Sequence, residues 1–306
     1  MKWLSLSLIV SLFIATFAQA DSMRLSNGRF LSYEVHHLEL KGPVFVFLPG
    51  VYRGFSSKDD FVPLLEKENV PFVLMHFAEH PHSVALTEKE EPRFQNTTAE
   101  VLAEEVKSLV QNLRIEKAIP VTLSYSGIVT AHLDVKLFPV VIETAPIGKD
   151  TDGMPPEIAA VYEYWRTWAL SFPYYGEMWL KSLQEPQLRQ QWGLWIDRYA
   201  EELSILKQPV YRERAMQGYL GLSNAVENFD LRKQNFEKGP QRYFILGETE
   251  NEIRLSIQKE AISLYRKAKK DAGETVVVPR AGHTVPADQP EAYVKAIVEL
   301  RDKIAL

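Results

Sequence analysis

LRIEKAIPVTLSYSGIV, residues Leu113 to Val129, is the stretch on which the reading of the chain turns. It runs from a helix end through a short apolar segment, AIPVTL, into a turn of hydroxyl-bearing and small residues, and then into a second apolar segment. A buried strand that turns sharply into a helix has this pattern, and the turn exposes one side chain. A serine hydroxyl is a weak nucleophile in water. Exposure at such a turn, a neighbouring base and a place for the developing anion make it reactive. The usual pattern is G-x-S-x-G, because strand and helix backbones pass close together on either side of the serine. Two serines compete here. With Ser124 at the turn, the flanking positions are Thr122 and Ser126, and Gly127 follows. With Ser126 at the turn, the branched Ile128 falls where the backbones crowd. Ser124 is therefore the first candidate and Ser126 the alternative.

Outward from this stretch, the strand signals are short apolar runs. Pro43–Gly50 (PVFVFLPG), Pro71–His76 (PFVLMH), Phe138–Ala145 (FPVVIETA), Arg242–Gly247 (RYFILG) and Glu274–Pro279 (ETVVVP) are continuous rather than alternating. Strands covered on both faces, as in a parallel sheet flanked by helices, read this way. Met23–Glu34 carries an Asn27-Gly28 pair between short alternating segments, the signal of a tight hairpin. Between the strands lie helical patterns. Asp59–Glu68 is one; another opens at Thr97-Thr98-Ala99-Glu100, a capping-box signature, and runs through Leu113 with an apolar stripe of Val101, Leu102, Val106, Leu109, Val110 and Leu113. The fold class expected is α/β, with a mostly parallel central sheet flanked by helices.

Residues 1–20, MKWLSLSLIVSLFIATFAQA, carry a lysine, an apolar run and Ala-Gln-Ala before Asp21, the organisation of a secretory signal peptide cleaved after Ala20. A periplasmic or secreted location and no stable membrane span are expected. With no cysteine, neither a disulfide nor thiolate chemistry is available, so the folded chain rests on its core. The formal charge is −5, and the single basic cluster, Tyr265–Lys270, reads as a solvated helix face, so nucleic acid is not an expected partner. His76, His80 and His82 with Glu79 fit no zinc spacing, and neither a metal nor an organic cofactor is expected.

The elbow stretch resembles, without a gap, the LGVEKAxLVGHSxGGLV run of the α/β-hydrolase family. RAGHTVPADQP, Arg280–Pro290, is similar to that family's GAGHxVPxDQP histidine loop. The resemblance covers the chain from about Met23 to its C-terminus except residues 148–239. In that segment β-branched runs stop and Trp165, Trp168, Trp179, Trp192 and Trp195 gather. It corresponds to the helical cap that the family inserts over its site, so 21–147 and 240–306 would be the two parts of the core. The resemblance implies a triad in the chain order Ser, acid, His. His283 would be its base. Glu250, three residues past Gly247, would be the acid, with Glu248 and Glu143 as alternatives. The amides of Tyr125 and Val51 would form the oxyanion hole, Val51 following Leu48-Pro49-Gly50 where relatives carry His-Gly. The activity implied is hydrolysis of a small-molecule ester or acyl substrate with an apolar group. An aminopeptidase or amidase is the nearest alternative, with Glu163, Glu177 and Glu201 as acids to hold an amine. A catalytically inactive homologue that binds a ligand or partner is the other. Three departures favour that last reading: the missing elbow glycines, Leu48-Pro49-Gly50 in place of His-Gly, and the absence after His76 of the glycine-rich loop that relatives carry there.

Overall fold

The computed structural model describes residues 19–50, 54–86, 97–146, 199–230, 233–250, 252–269 and 273–304. Eight strands form one sheet: β1 Gln19–Arg24, β2 Phe30–His36, β3 Val44–Leu48, β4 Phe72–His76, β5 Ala118–Leu123, β6 Val140–Thr144, β7 Gln241–Gly247 and β8 Thr275–Val278. Their order is β1-β2-β4-β3-β5-β6-β7-β8. β1 and β2 are antiparallel, as are β2 and β4, and every other pairing is parallel. The Asn27-Gly28 signal becomes the β1–β2 hairpin, closed by Leu25 and Arg29, with Gly28 at φ 88°. β1 begins two residues before the expected cleavage point: Gln19 and Ala20 pair with Val35 and Glu34. Among the described residues no helix is long and apolar enough to cross a membrane.

The continuous apolar runs are strands with both faces buried. In β3 the two faces separate by residue parity: Val44, Val46 and Leu48 enter one core cluster, Phe45 and Phe47 the other. The first cluster is covered by α3 (Ala99–Asn112) through Leu102, Val106, Leu109 and Val110. The second is covered by α1 (Phe61–Lys67) and the C-terminal α7 (Pro290–Lys303), through Phe61, Leu65, Tyr293, Ile297 and Leu300. Each such side chain contributes about 1.5–3 kcal/mol when fully buried. α5 (Glu252–Ala268) packs on β7, with Ile262 and Tyr265 in one cluster with Phe244 and Leu246.

Two local features differ from expectation, and a third expected element is described only in part. The N-cap of α3 is Thr98, whose hydroxyl accepts the Val101 N–H at 3.3 Å, while the Thr97 hydroxyl donates instead to Glu79. Either threonine can cap, and the buried carboxylate decides between them. The segment after the elbow, Ser124–His132, is a 3-10 helix rather than an α-helix. The expected cap, 148–239, lies mostly outside the described residues, and with it all five of its tryptophans. Its described part contains helical residues 199–202 and α4 (Pro209–Glu227). Leu222, Ala225, Val226 and Phe229 belong to the same core cluster as Phe77, Tyr125 and Ile128, so the end of α4 packs on the main core.

Candidate active site

β5 lies near the middle of the parallel strands, and open parallel sheets place their sites at the carboxyl ends of such strands. Leu123, the last residue of β5, is extended, and Ser124 then adopts φ 59°, the left-handed region that non-glycine residues rarely occupy. This strained residue is the sharp turn itself, and holding it costs on the order of 1–3 kcal/mol. The Ser126 hydroxyl supports the turn from behind. It accepts the Leu123 N–H at 2.9 Å and lies 3.0 and 3.2 Å from the carbonyls of Leu123 and Leu48. Ser126 is fully buried and committed to this backbone, whereas Ser124 is 7% exposed.

The two missing glycines are explained by the space at the turn. A Cβ placed on Gly127 would meet Pro146 at 3.5 Å and the Thr122 hydroxyl at 3.8 Å, which are ordinary contacts. At 122 and 126 themselves the turn accommodates Thr and Ser side chains fully buried.

His283 is presented by the loop between β8 and α6 (Val285–Asp288). Thr249 binds the Ala281 carbonyl through both its N–H (2.8 Å) and its hydroxyl (2.9 Å), and the Asp288 carboxylate accepts the Gly282 N–H at 2.9 Å. The loop is thus tied to the end of β7, where Gly247 is required: a Cβ there would lie 2.1 Å from the Gly282 carbonyl oxygen. His283 Nε2 is 2.8 Å from Ser124 Oγ, and Nδ1 is 2.5 Å from Glu250 Oε2. A carboxylate only accepts, so Nδ1 carries the proton and Nε2 offers its lone pair to the serine O–H. Glu250 is 8% exposed, and the same Oε2 accepts the side-chain amide of Gln258 at 3.0 Å. Gln258, fully buried on α5, is a positioning residue that the sequence did not single out.

The alternative acids lie elsewhere. Glu248 accepts the Arg280 N–H at 3.0 Å in an exposed setting. Glu143, on β6, is buried against Arg242 Nη1 at 2.6 Å and the Thr130 hydroxyl at 2.6 Å. That hydroxyl also contacts the Gly127 carbonyl at 2.7 Å, so the pair braces the elbow helix. Tyr125 has its amide in the first turn of the 3-10 helix, where N–H groups have no partner within the helix. Its ring is fully buried and meets Phe77 edge-on, anchoring the elbow; burial first, then Glu79 and Glu105, push its phenol pKa well up. Val51 lies outside the described residues.

Behind Tyr125 is a charged group that the sequence did not announce. Arg29 Nη1 meets Glu79 Oε1 at 2.5 Å, and Nη2 lies 3.4 Å from Glu105. Glu105 Oε2 also accepts the Ala78 N–H at 3.0 Å. Burial and the adjacent Glu79 hold the Glu105 carboxyl well above the ordinary range, against the pull of Arg29 and that N–H. Glu79 is therefore not among the histidines with which it was read. His76, His80 and His82 do come together, and burial pushes the first two well below the usual imidazole range, helped by the neighbouring rings.

Solved structures share the whole architecture. A hydrolase from Pseudomonas aeruginosa PA01 superposes with a TM-score of 0.63 at 19% identity, over 92% of this chain and 97% of its own. The enol-lactonase from Burkholderia xenovorans LB400 gives 0.62 at 17%, over 91% and 98%. A thermophilic esterase from Thermogutta terrifontis gives 0.63 at 16%, over 94% and 99%. At these identities the likeness establishes the fold. No curated protein matches the sequence. Residues 45–296 match the sequence profile described as the Alpha/beta hydrolase family, a range that spans the parallel strands from Phe45 on, the Ser124 elbow and the His283 loop, and the chain belongs to that family.

Proposed function

We propose that this protein is a serine hydrolase that cleaves carboxylic esters through an acyl-enzyme. Ser124 is the nucleophile, His283 the base and then the acid, and Glu250 the carboxylate that orients His283. The observation that carries this reading is the contact series Glu250 Oε2 to His283 Nδ1 at 2.5 Å and His283 Nε2 to Ser124 Oγ at 2.8 Å. As Ser124 Oγ bonds to the substrate carbonyl carbon, its proton moves to His283 Nε2, and Glu250 stabilises the imidazolium. The carbonyl oxygen becomes an oxyanion held by the amides of Tyr125 and Val51. His283 then gives the proton to the leaving alkoxide as the carbon–oxygen bond breaks. Water attacks the acyl-enzyme by the same steps and restores the serine.

The segment 148–239 would act as the cap that receives an apolar acyl or aromatic group. Of the three acids weighed for holding an amine, Glu201 is the one among the described residues, and it is exposed. The first 20 residues support a periplasmic or secreted location.

The test is a fluorophosphonate probe applied to the folded protein, with hydrolysis of short p-nitrophenyl esters measured in parallel. Wild type and Ser126→Ala are expected to label and Ser124→Ala is not. A folded wild type that neither labels nor turns over would reject the enzyme in favour of an inactive binding homologue.

A further inference from the structure

The loop after β4 brings His76, His80 and His82 so close that one ring nitrogen from each lies within 4.8 Å of the others. His76 and His80 are buried and His82 nearly so. In each ring, one nitrogen faces an oxygen. His76 Nδ1 is 3.0 Å from the Ser32 hydroxyl on β2. His80 Nε2 is 3.2 Å from the Tyr199 phenol, whose oxygen also accepts the Gly54 N–H at 2.7 Å. His82 Nε2 lies 3.4 Å from a Glu202 carboxylate oxygen, an ion-pair distance without hydrogen-bond alignment.

If these oxygens take the ring N–H groups, three lone pairs remain: His76 Nε2, His80 Nδ1 and His82 Nδ1. Two of them face each other, with His80 Nδ1 and His82 Nδ1 3.3 Å apart. Two neutral nitrogens can share one proton at that distance, but about 3.3 Å is also the edge of a tetrahedron with bonds of about 2.0–2.1 Å, the zinc–imidazole length. The third, His76 Nε2, is buried without an aligned hydrogen bond, and the Phe55 backbone lies close enough to the ring to favour its protonated form, so an ion would compete with that contact. A Cβ at Gly54 would lie 2.6 Å from His80 Cε1 and 2.8 Å from His76 Nε2, so only glycine fits beside the two rings. Histidine ligands held through their second nitrogen by hydroxyl or carboxylate oxygens are the usual outer arrangement of a metal site.

We propose that His76, His80 and His82 form a binding site for a zinc-class divalent cation, with His76 Nε2 and the Nδ1 atoms of His80 and His82 as ligands. Water completes the tetrahedron. The His76 and His82 rings now lie face to face, 4.3 Å apart at 6°, so the ion draws the lone pairs to one point by turning the rings about Cβ–Cγ. The bound ion ties β4 to β2 through Ser32, to the 199–202 segment through Tyr199 and Glu202, and to the loop at Gly54, three residues beyond Val51. The site is independent of the ester hydrolysis proposed above.

The test is titration of the EDTA-stripped full chain, with Zn2+ followed by calorimetry and Co2+ by visible absorption. Wild type is expected to bind one equivalent of either ion, with the intense visible bands of tetrahedral cobalt. Binding should weaken at least ~100-fold in His80→Asn and roughly 10–100-fold in Tyr199→Phe, which removes only an outer partner. Ser124→Ala, inert if the hydrolase reading holds, should bind the ion as wild type does, so the two proposals fail separately. Weak octahedral cobalt spectra, no stoichiometric binding by wild type, or undiminished binding in folded His80→Asn would overturn the site.

Discussion

Replacing Glu250 with Gln tests the site at its most informative bond. The amide oxygen of glutamine can take the place of Oε2, which now accepts both His283 Nδ1 at 2.5 Å and Gln258 Nε2 at 3.0 Å. Glu250→Gln thus keeps the acceptor and removes only the charge. The charge matters when the Ser124 proton arrives and His283 becomes a cation. With charge centres about 4 Å apart and an effective dielectric of about 20, that attraction is about 4 kcal/mol, or close to 10³ in rate. His283 has 21% of its side chain exposed, and solvent screening lowers the expected loss to about 10²–10³ in kcat. KM should change little, because the imidazole of the ground state is neutral. The assay is steady-state hydrolysis of a p-nitrophenyl ester with melting temperatures recorded alongside. Glu248→Gln, which alters only an exposed bond to the Arg280 N–H, should stay within about threefold of wild type. A folded Glu250→Gln protein that keeps more than a tenth of wild-type kcat, or a larger loss in Glu248→Gln, would refute the assignment of the acid.

The other predictions concern what holds the elbow and its surroundings. Ser126→Ala strands the buried Leu123 N–H and should cost about 1–3 kcal/mol of stability, read in urea melts, while fluorophosphonate labelling persists. Arg242→Ala leaves the Glu143 carboxylate buried without its cation and should cost about 3–5 kcal/mol; Arg242→Met combined with Glu143→Gln should cost less than Arg242→Ala alone, and equal losses would contradict the pairing. Glu105 has a raised folded-state pKa, so its favourable contribution belongs to the protonated form, present below the unfolded value of about 4.3 and lost as pH rises through the folded one. The melting temperature of Glu105→Gln relative to wild type should therefore climb with pH above about 4.3. A difference that is flat or falls would mean that Arg29 and the Ala78 N–H outweigh burial and Glu79.

The strands were legible because a parallel sheet covered on both faces leaves no polar alternation to interpret, and VFVFL, FVLMH and VVIET are apolar on both faces nearly throughout. Ser124, Glu250 and His283 were legible through motif resemblance and spacing from Gly247, and the structure brings these three together. The polar interior was not. Glu79 reads only as a neighbour of the histidines, and Arg29 and Glu105 carry no signal, since nothing in a linear pattern shows that one guanidinium will face two carboxylates 50 and 76 residues away. Gln258 is hidden for the same reason: a polar residue at a buried helix position is visible only once its partner, eight residues back across a loop, is known. The histidines at 76, 80 and 82 straddle a strand end and the short α2 (Pro81–Val84), so no helical or strand period predicts that they converge.

The eroded elbow motif is better understood as a change in how the turn is held than as a loss of the turn. Glycines at the flanking positions are needed when strand and helix touch, and here Thr122 and Ser126 are both accommodated fully buried. Hydrogen bonds now do the holding. Ser126 ties the turn to Leu123 and to the Leu48 carbonyl at the end of β3, the strand that leads to Val51. Thr130 ties the helix to Glu143 and, through it, to Arg242 on β7. These bonds offset the strain of Ser124 at φ 59° with buried polar contacts in place of close backbone packing. The serine at 126 thus stands where a glycine is usual and supports the turn through its hydroxyl, a structural role that leaves the nucleophile's part to Ser124 under the proposed function.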